Sequence, residues 1–287
     1  MARPIVTAGF LAAGFLVAAF VLVVAFLVLR QDRLLYFPSR RLASSPVDHG
    51  LEAADLSVVT DDSVRLYGWW IRGAGQRVLL YFPGNAGNVA DRLERAKRLH
   101  DRLGLDVFLV DYRGYGRSEG SPSEDGLRRD GRAIYRTAIE AGFRPDQIVV
   151  FGESLGAAVA IDLAARWACA GLVLETPFLS VREVARVHYP FVPSWLVRNA
   201  FDNGSRIADV GVPKLFFVAE RDEVVPAAQG RRLFERARGV RELYVIPGAR
   251  HNDTDVVGGD RYWKTWEKFL AALAPAPSPR TGGKGPG

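Results

Sequence analysis

Hydrophobic positions fall into two regimes along the chain. From Ile5 to Leu29 there are 25 consecutive uncharged, mostly apolar residues, with Arg3 before them and Arg30 after. As a helix rising about 1.5 Å per residue, this run is about 37 Å long and crosses a hydrocarbon core about 30 Å thick with some tilt. A cleaved signal peptide has an apolar stretch of only about 7–15 residues, ending in a small-x-small site. Here the run is longer and ends Phe26-Leu27-Val28-Leu29-Arg30, so the pattern predicts an uncleaved single-pass anchor over residues 1–32, meeting the lipid membrane through residues 5–29. Arg30, Arg33, Arg40 and Arg41 follow the span, against Arg3 before it. Positive-inside counting therefore favours a cytoplasmic position for everything C-terminal to the anchor.

Past the anchor the apolar runs are short and periodic. Residues 33–55 read as a juxtamembrane connector in which Leu34-Leu35-Tyr36-Phe37-Pro38 is apolar enough to dock on a domain or lie at the interface. Leu56–Thr60 and Val64–Ile71 flank a turn at Asp61-Asp62 and predict a hairpin; Val78–Phe82, Val107–Val110, Ile148–Phe151, Leu172–Leu174, Leu215–Val218 and Glu242–Ile246 predict further strands. Between them, helical spacing covers Val89–Leu103 with Asn88 as cap, then 124–141, Leu155–Trp167, Ala227–Ala237 and Arg261–Leu273. Strands alternating with helices imply an α/β domain over 56–273, with a mostly parallel central sheet covered by helices on both faces. The aromatic, irregular stretch 176–211 interrupts that alternation as a short cap insertion. Residues 274–287, rich in Pro, Gly and Ser, read as a disordered tail.

Composition changes this picture little. The formal charge is +6 over 287 residues, but the basic residues are scattered and no basic and aromatic stripe suits nucleic acid. One cysteine, Cys169, precludes an intramolecular disulfide and sits in an apolar stretch as a core residue. With four scattered histidines, it leaves no zinc-type ligand set, so neither a metal nor a cofactor is expected.

The chemistry concentrates at Gly152-Glu153-Ser154-Leu155-Gly156, which ends a strand and opens a helix. In that context Gly-x-Ser-x-Gly is a nucleophile elbow, the serine held clear of the sheet on a sharp turn. A serine hydroxyl needs a base and an orienting acid. In the order such folds use, Ser then Asp or Glu then His, His251 is the base; His188, His49 and His100 are read as ordinary histidines. The acid belongs after strand Leu215–Val218, where Asp222 is the candidate and Glu220 and Glu223 its competitors; Asp253 is assigned a local loop role. Backbone donors for an oxyanion are expected at Leu155 and in the loop Pro83-Gly84-Asn85-Ala86-Gly87-Asn88, at Asn85 or else Ala86.

These motifs resemble the membrane-anchored α/β-hydrolase-domain proteins, a group that includes protein depalmitoylases and lysophospholipid lipases. The similarity spans roughly residues 30–273. It is carried by Leu34–Pro38, Tyr81–Asn88, Asp111-Tyr-Arg-Gly-Tyr-Gly-Arg-Ser-Glu-Gly120, Gly152–Gly156, Glu175-Thr-Pro-Phe178, Arg221–Pro226 and His251-Asn252. The resemblance implies an α/β-hydrolase fold and a Ser154–His251–Asp222 triad. Pro83 departs from it, since such proteins usually carry His before that glycine, which leaves the shape of the acyl pocket open. The Asp111–Gly120 segment is assigned a structural role. An esterase, lipase or thioesterase acting on a hydrophobic acyl ester or thioester is the leading expectation, with Phe178, Tyr189 and Trp195 of the cap as candidate substrate contacts. The alternatives are a peptidase or amidase on the same triad and a non-catalytic, membrane-tethered binding protein.

Overall fold

The computed structural model describes residues 2–273, with side chains from Leu11 onward; the expected tail 274–287 lies outside the described residues. The apolar run forms one helix, α1 (Ala2–Leu29), and its stretch Leu11–Leu29 is long and apolar enough to cross a membrane, with none of it buried in the protein. The short helix α2 (Gln31–Leu35) continues it and leads into a two-residue strand, β1 (Phe37–Pro38). The connector is therefore structured. A 3₁₀ turn at Pro46–His49 completes it.

β2 (Ala53–Val59) and β3 (Arg65–Ile71) form the expected antiparallel hairpin, with Ala53 opposite Ile71. Next come β4 (Val78–Phe82), β5 (Ala86–Gly87), α3 (Leu93–Leu103), β6 (Asp106–Val110) and α4 (Glu124–Glu140). They are followed by β7 (Ile148–Glu153), α5 (Leu155–Ala164), β8 (Gly171–Glu175), α6 (Val181–His188) and α7 (Asn203–Arg206). β9 (Lys214–Ala219), α8 (Ala227–Arg236), β10 (Arg241–Ile246) and α9 (Thr254–Ala272) are the last elements among the described residues. Eight strands lie in the order β10-β9-β8-β7-β4-β6-β3-β2, parallel from β10 to β6 and antiparallel over the hairpin.

β4 and β7 sit centrally and are apolar on both faces, as parallel strands covered by helices must be. Side chains alternate between two cores. Val78, Leu80 and Phe82 join α4 and α5 on one face, while Leu79 and Tyr81 join α3 and α9 on the other. On the second face Trp266 of α9 packs against Phe151 and Phe217, tying the last helix to the middle of the sheet.

Three elements differ from the sequence expectation. α5 stops at Ala164 rather than near Trp167, because Trp167 packs on Tyr135 and the Tyr135 hydroxyl bonds the Ala168 carbonyl, turning the chain toward β8. α9 begins at Thr254, seven residues before Arg261; its break at Gly259 (φ 51°) lies beside a second glycine, and the Gly-Gly pair obscures the helical pattern. The cap is not wholly irregular, since α6 starts on a Ser180 cap and α7 on an Asp202 cap.

Candidate active site

The site assembles where the strand ends bring distant loops together. β7 delivers Ser154 in a strained turn, φ 52° and ψ −114°, before α5 begins. The flanking glycines are required by close approach: a Cβ on Gly156 would lie 2.0 Å from the Phe82 carbonyl oxygen. At Gly152 it would lie 2.5 Å from the Gly156 carbonyl oxygen. The Ser154 N–H donates to the Glu175 carbonyl (2.9 Å), fixing the turn against β8.

His251, from the β10–α9 loop, lies with Nε2 2.9 Å from Ser154 Oγ and Nδ1 2.7 Å from Asp222 Oδ2. A carboxylate only accepts, so Nδ1 carries the proton and Nε2 is left to accept from the serine hydroxyl. Asp222 is held in turn by the N–H groups of Val224 (2.9 Å) and Val225 (2.7 Å), both on Oδ1, which leaves Oδ2 for the ring. Both side chains are nearly enclosed. The competing acids serve the backbone of the histidine loop: Glu220 accepts from Gly248 N–H and Glu223 from His251 N–H. Asp253 accepts from Arg250 N–H. These contacts organise the loop rather than the imidazole.

The Leu155 N–H falls in the first turn of α5, where no helical carbonyl reaches it. The loop after β4 runs alongside: a Cβ on Gly84 would stand 3.7 Å from Ser154 Cβ. Asn85 is anchored on three sides. Its carbonyl accepts from Tyr115 Oη (2.8 Å) and Phe37 N–H (2.9 Å), and its Nδ2 donates to the Leu35 carbonyl (2.6 Å). Tyr112 Oη donates to the Pro83 carbonyl (3.0 Å). The Asp111–Gly120 segment thus props this loop through two tyrosines. Asp111 itself receives the Val89 N–H on Oδ1, and burial pushes its carboxyl up to about 8. Arg113 pairs with Asp62 and Asp130.

Below the serine lies a buried charged cluster that sequence reasoning missed. Arg95 of α3 bonds Glu175 and Thr254 and stands 3.6 Å from Glu153 and 3.8 Å from Asp255. Glu153 accepts from Tyr81 Oη, and Glu175 accepts from Tyr262 Oη (2.7 Å) and from Thr254. Burial raises the Glu175 carboxyl. Burial also opposes ionisation of Glu153, but the Arg95 and Arg92 guanidinium groups outweigh it and hold that carboxyl below its ordinary range. The cluster joins the residue before Ser154 to the residues opening α9, three positions past His251. The signals in the sequence are slight: a charge at Arg95, four positions before Leu99 on the buried face of α3, and a glutamate closing each of the apolar strands β7 and β8.

The cap residues part company. Phe178 is buried in the hydrophobic core. Trp195 is exposed to 77%. Only Tyr189 lines an apolar cleft, shared between the cap and the end of α1. His188 is a surface histidine, as the sequence suggests, and its Nε2 lies 2.8 Å from the Val224 carbonyl in the loop that carries Asp222. Cys169 is packed against the core, and burial pushes its thiol up to about 12.

A mostly parallel sheet flanked by helices, with a serine elbow at the end of a central strand, defines an α/β-hydrolase fold. The Pyrococcus furiosus esterase Pf2001 shares it, with a TM-score of 0.69 and 21% identity, covering 83% of this chain and 98% of that one. A family model described as serine aminopeptidase, S33, matches residues 75–206. A Mycobacterium tuberculosis protein is 40% identical over 258 residues, covering 88% of this chain and 91% of that protein. The α/β hydrolase domain-containing protein WAV2 of Arabidopsis thaliana is 34% identical over 284 residues, with the same coverage. The membrane protein YNL320W of Saccharomyces cerevisiae is 32% identical over 262 residues, covering 86% and 91%. The chain belongs to the family of α/β-hydrolase domain-containing proteins.

Proposed function

We propose that the chain is a membrane-anchored serine hydrolase that cleaves carboxylic esters or thioesters of hydrophobic acyl groups, with Ser154 as nucleophile. The observation that carries this reading is the hydrogen-bonded chain Ser154–His251–Asp222 on the strained turn between β7 and α5. His251 Nε2 takes the hydroxyl proton as Oγ attacks the acyl carbon. The N–H groups of Leu155 and Asn85 hold the oxyanion, in a loop stiffened by Tyr112 and Tyr115. The imidazolium, stabilised by Asp222, then protonates the departing alcohol or thiol, and water repeats the sequence to free the acid.

Membrane attachment rests on the long apolar stretch Leu11–Leu29, none of it buried, and on a relative called a membrane protein. Arg30, Arg33, Arg40 and Arg41 on the domain side of α1 favour the cytoplasmic face. An aminopeptidase is the second reading, drawn from the description of the matching family model. Turnover of a matched ester and amide pair by the full-length protein in lipid tests both. We expect ester hydrolysis that falls on the order of 10⁶-fold in Ser154→Ala. Preferential amide cleavage would favour the peptidase, and unchanged turnover in the variant would remove Ser154 from the reaction.

A further inference from the structure

The anchor helix does more than tether the domain. The C-terminal half of α1 lies against the cap: Phe20 packs edge-on to Phe191, at 6.3 Å between ring centres. Gln31 Oε1 accepts from the Arg198 N–H (2.7 Å), and Asn199 Nδ2 donates to Asp32 (2.6 Å). Between the two lies a cleft of about 140 Å³. Leu27, Val28, Leu34 and Leu35 form its anchor-side wall, and Val184 and Ala185 of α6 stand on the cap side. Its walls are apolar nearly throughout, so water gains little there and a hydrocarbon chain gains burial.

Two contacts tie this cleft to the loops beside the reacting groups. Leu35 lines it, and the Leu35 carbonyl accepts from Asn85, the residue assigned to the oxyanion loop. His188 lines it as well, and its ring bonds Val224, whose own N–H is held by Asp222. The cleft is thus bracketed by the loop beside Ser154 and the loop that orients His251. At its other end stand Leu27 and Val28 of the apolar stretch Leu11–Leu29. The neighbouring cap surface exposes Phe191 and Trp195, aromatic residues suited to a membrane interface.

We infer that this cleft is the acyl-chain subsite and that the membrane anchor supplies one of its walls. A fatty acyl chain enters beside α1 from the bilayer, runs between α1–α2 and α6, and presents its carbonyl to Ser154 without passing through water. The inference rests on the serine-hydrolase reading above and adds to it a composite site that exists only while the anchor is docked. Selectivity for long chains is then a property of Leu27, Val28, Val184 and Ala185, not of the hydrolase domain alone.

A fluorophosphonate carrying a long alkyl chain with a terminal diazirine tests this on the full-length protein in nanodiscs. The phosphonate first bonds Ser154, and irradiation then crosslinks whatever surrounds the chain. Crosslinks within residues 27–35 and 181–197 are the expected result; crosslinks confined to other segments overturn the proposal. Failure of the probe to bond Ser154 would instead sink the hydrolase reading, and the subsite with it. Val28→Trp and Ala185→Trp, which block the cleft from opposite sides, provide a second readout. In each, the ratio of kcat/KM for a 16-carbon ester to that for a 4-carbon ester should fall at least tenfold. A ratio unchanged in Val28→Trp, whose position on α1 lies outside the hydrolase core, contradicts the proposal even if Ala185→Trp fails to fold.

Discussion

Asp111 should make the stability of the hydrolase domain depend on pH in a direction opposite to that of most carboxylates. Its side chain is 1% exposed, with Oδ1 on the Val89 N–H and Oδ2 enclosed against Gly116 without a protein partner among the described residues. Burial moves the carboxyl from 3.8 up to about 8, only partly offset by the Val89 hydrogen bond. Between those values the native state keeps a proton that the unfolded state has lost, so stability falls as pH rises. Each unit is worth about 1.4 kcal/mol, so between pH 5 and pH 8 this group costs about 4 kcal/mol. Asp111→Asn keeps the acceptor for Val89 and places an N–H where the protonated acid has O–H, so it resembles the wild type at low pH and cannot ionise at high pH. The difference in thermal midpoint between variant and wild type cancels the groups they share. It should move by roughly 10 °C in favour of the variant from pH 5 to pH 8. Parallel curves over that range would show that Asp111 is not held neutral and would refute the reasoning.

Two further changes probe the site and its foundation. Asp222→Asn should leave fold and substrate affinity largely intact while lowering kcat about 10⁴-fold, because the ring loses the partner that fixes its tautomer; a steady-state comparison reads this directly, and a loss below tenfold would contradict the assigned role. Arg95→Met leaves Glu153, Glu175 and Asp255 without their shared cation and should cost about 3–5 kcal/mol of stability, read as a fall in the thermal midpoint. An unchanged midpoint would mean that the cluster is neutral in the native protein.

The elements that the sequence specifies most clearly are those whose reason is local. β4 and β7 are short apolar runs closed by turn residues, and the elbow is a five-residue pattern whose glycines answer contacts within a few ångströms. Their place in the chain also led to His251 and Asp222, because loops after successive parallel strands converge at one end of the sheet. The charged cluster depends instead on separation: Arg95 meets Thr254 across 159 positions, and no pattern in either segment announces the other. The same holds for the loop after β4. Its rigidity comes from Tyr112, Tyr115 and the strand β1 that follows α1 and α2. The cap aromatics mislead for a related reason, since composition marks Phe178 and Trp195 alike while packing buries one and exposes the other.

The central claim is an activated serine at position 154, and covalent labelling by a fluorophosphonate tests it most directly. The account predicts one equivalent of adduct on the full-length protein, mapped to the peptide containing Ser154 and absent in Ser154→Ala. A folded protein that takes no label, or that labels equally in the variant, would contradict it.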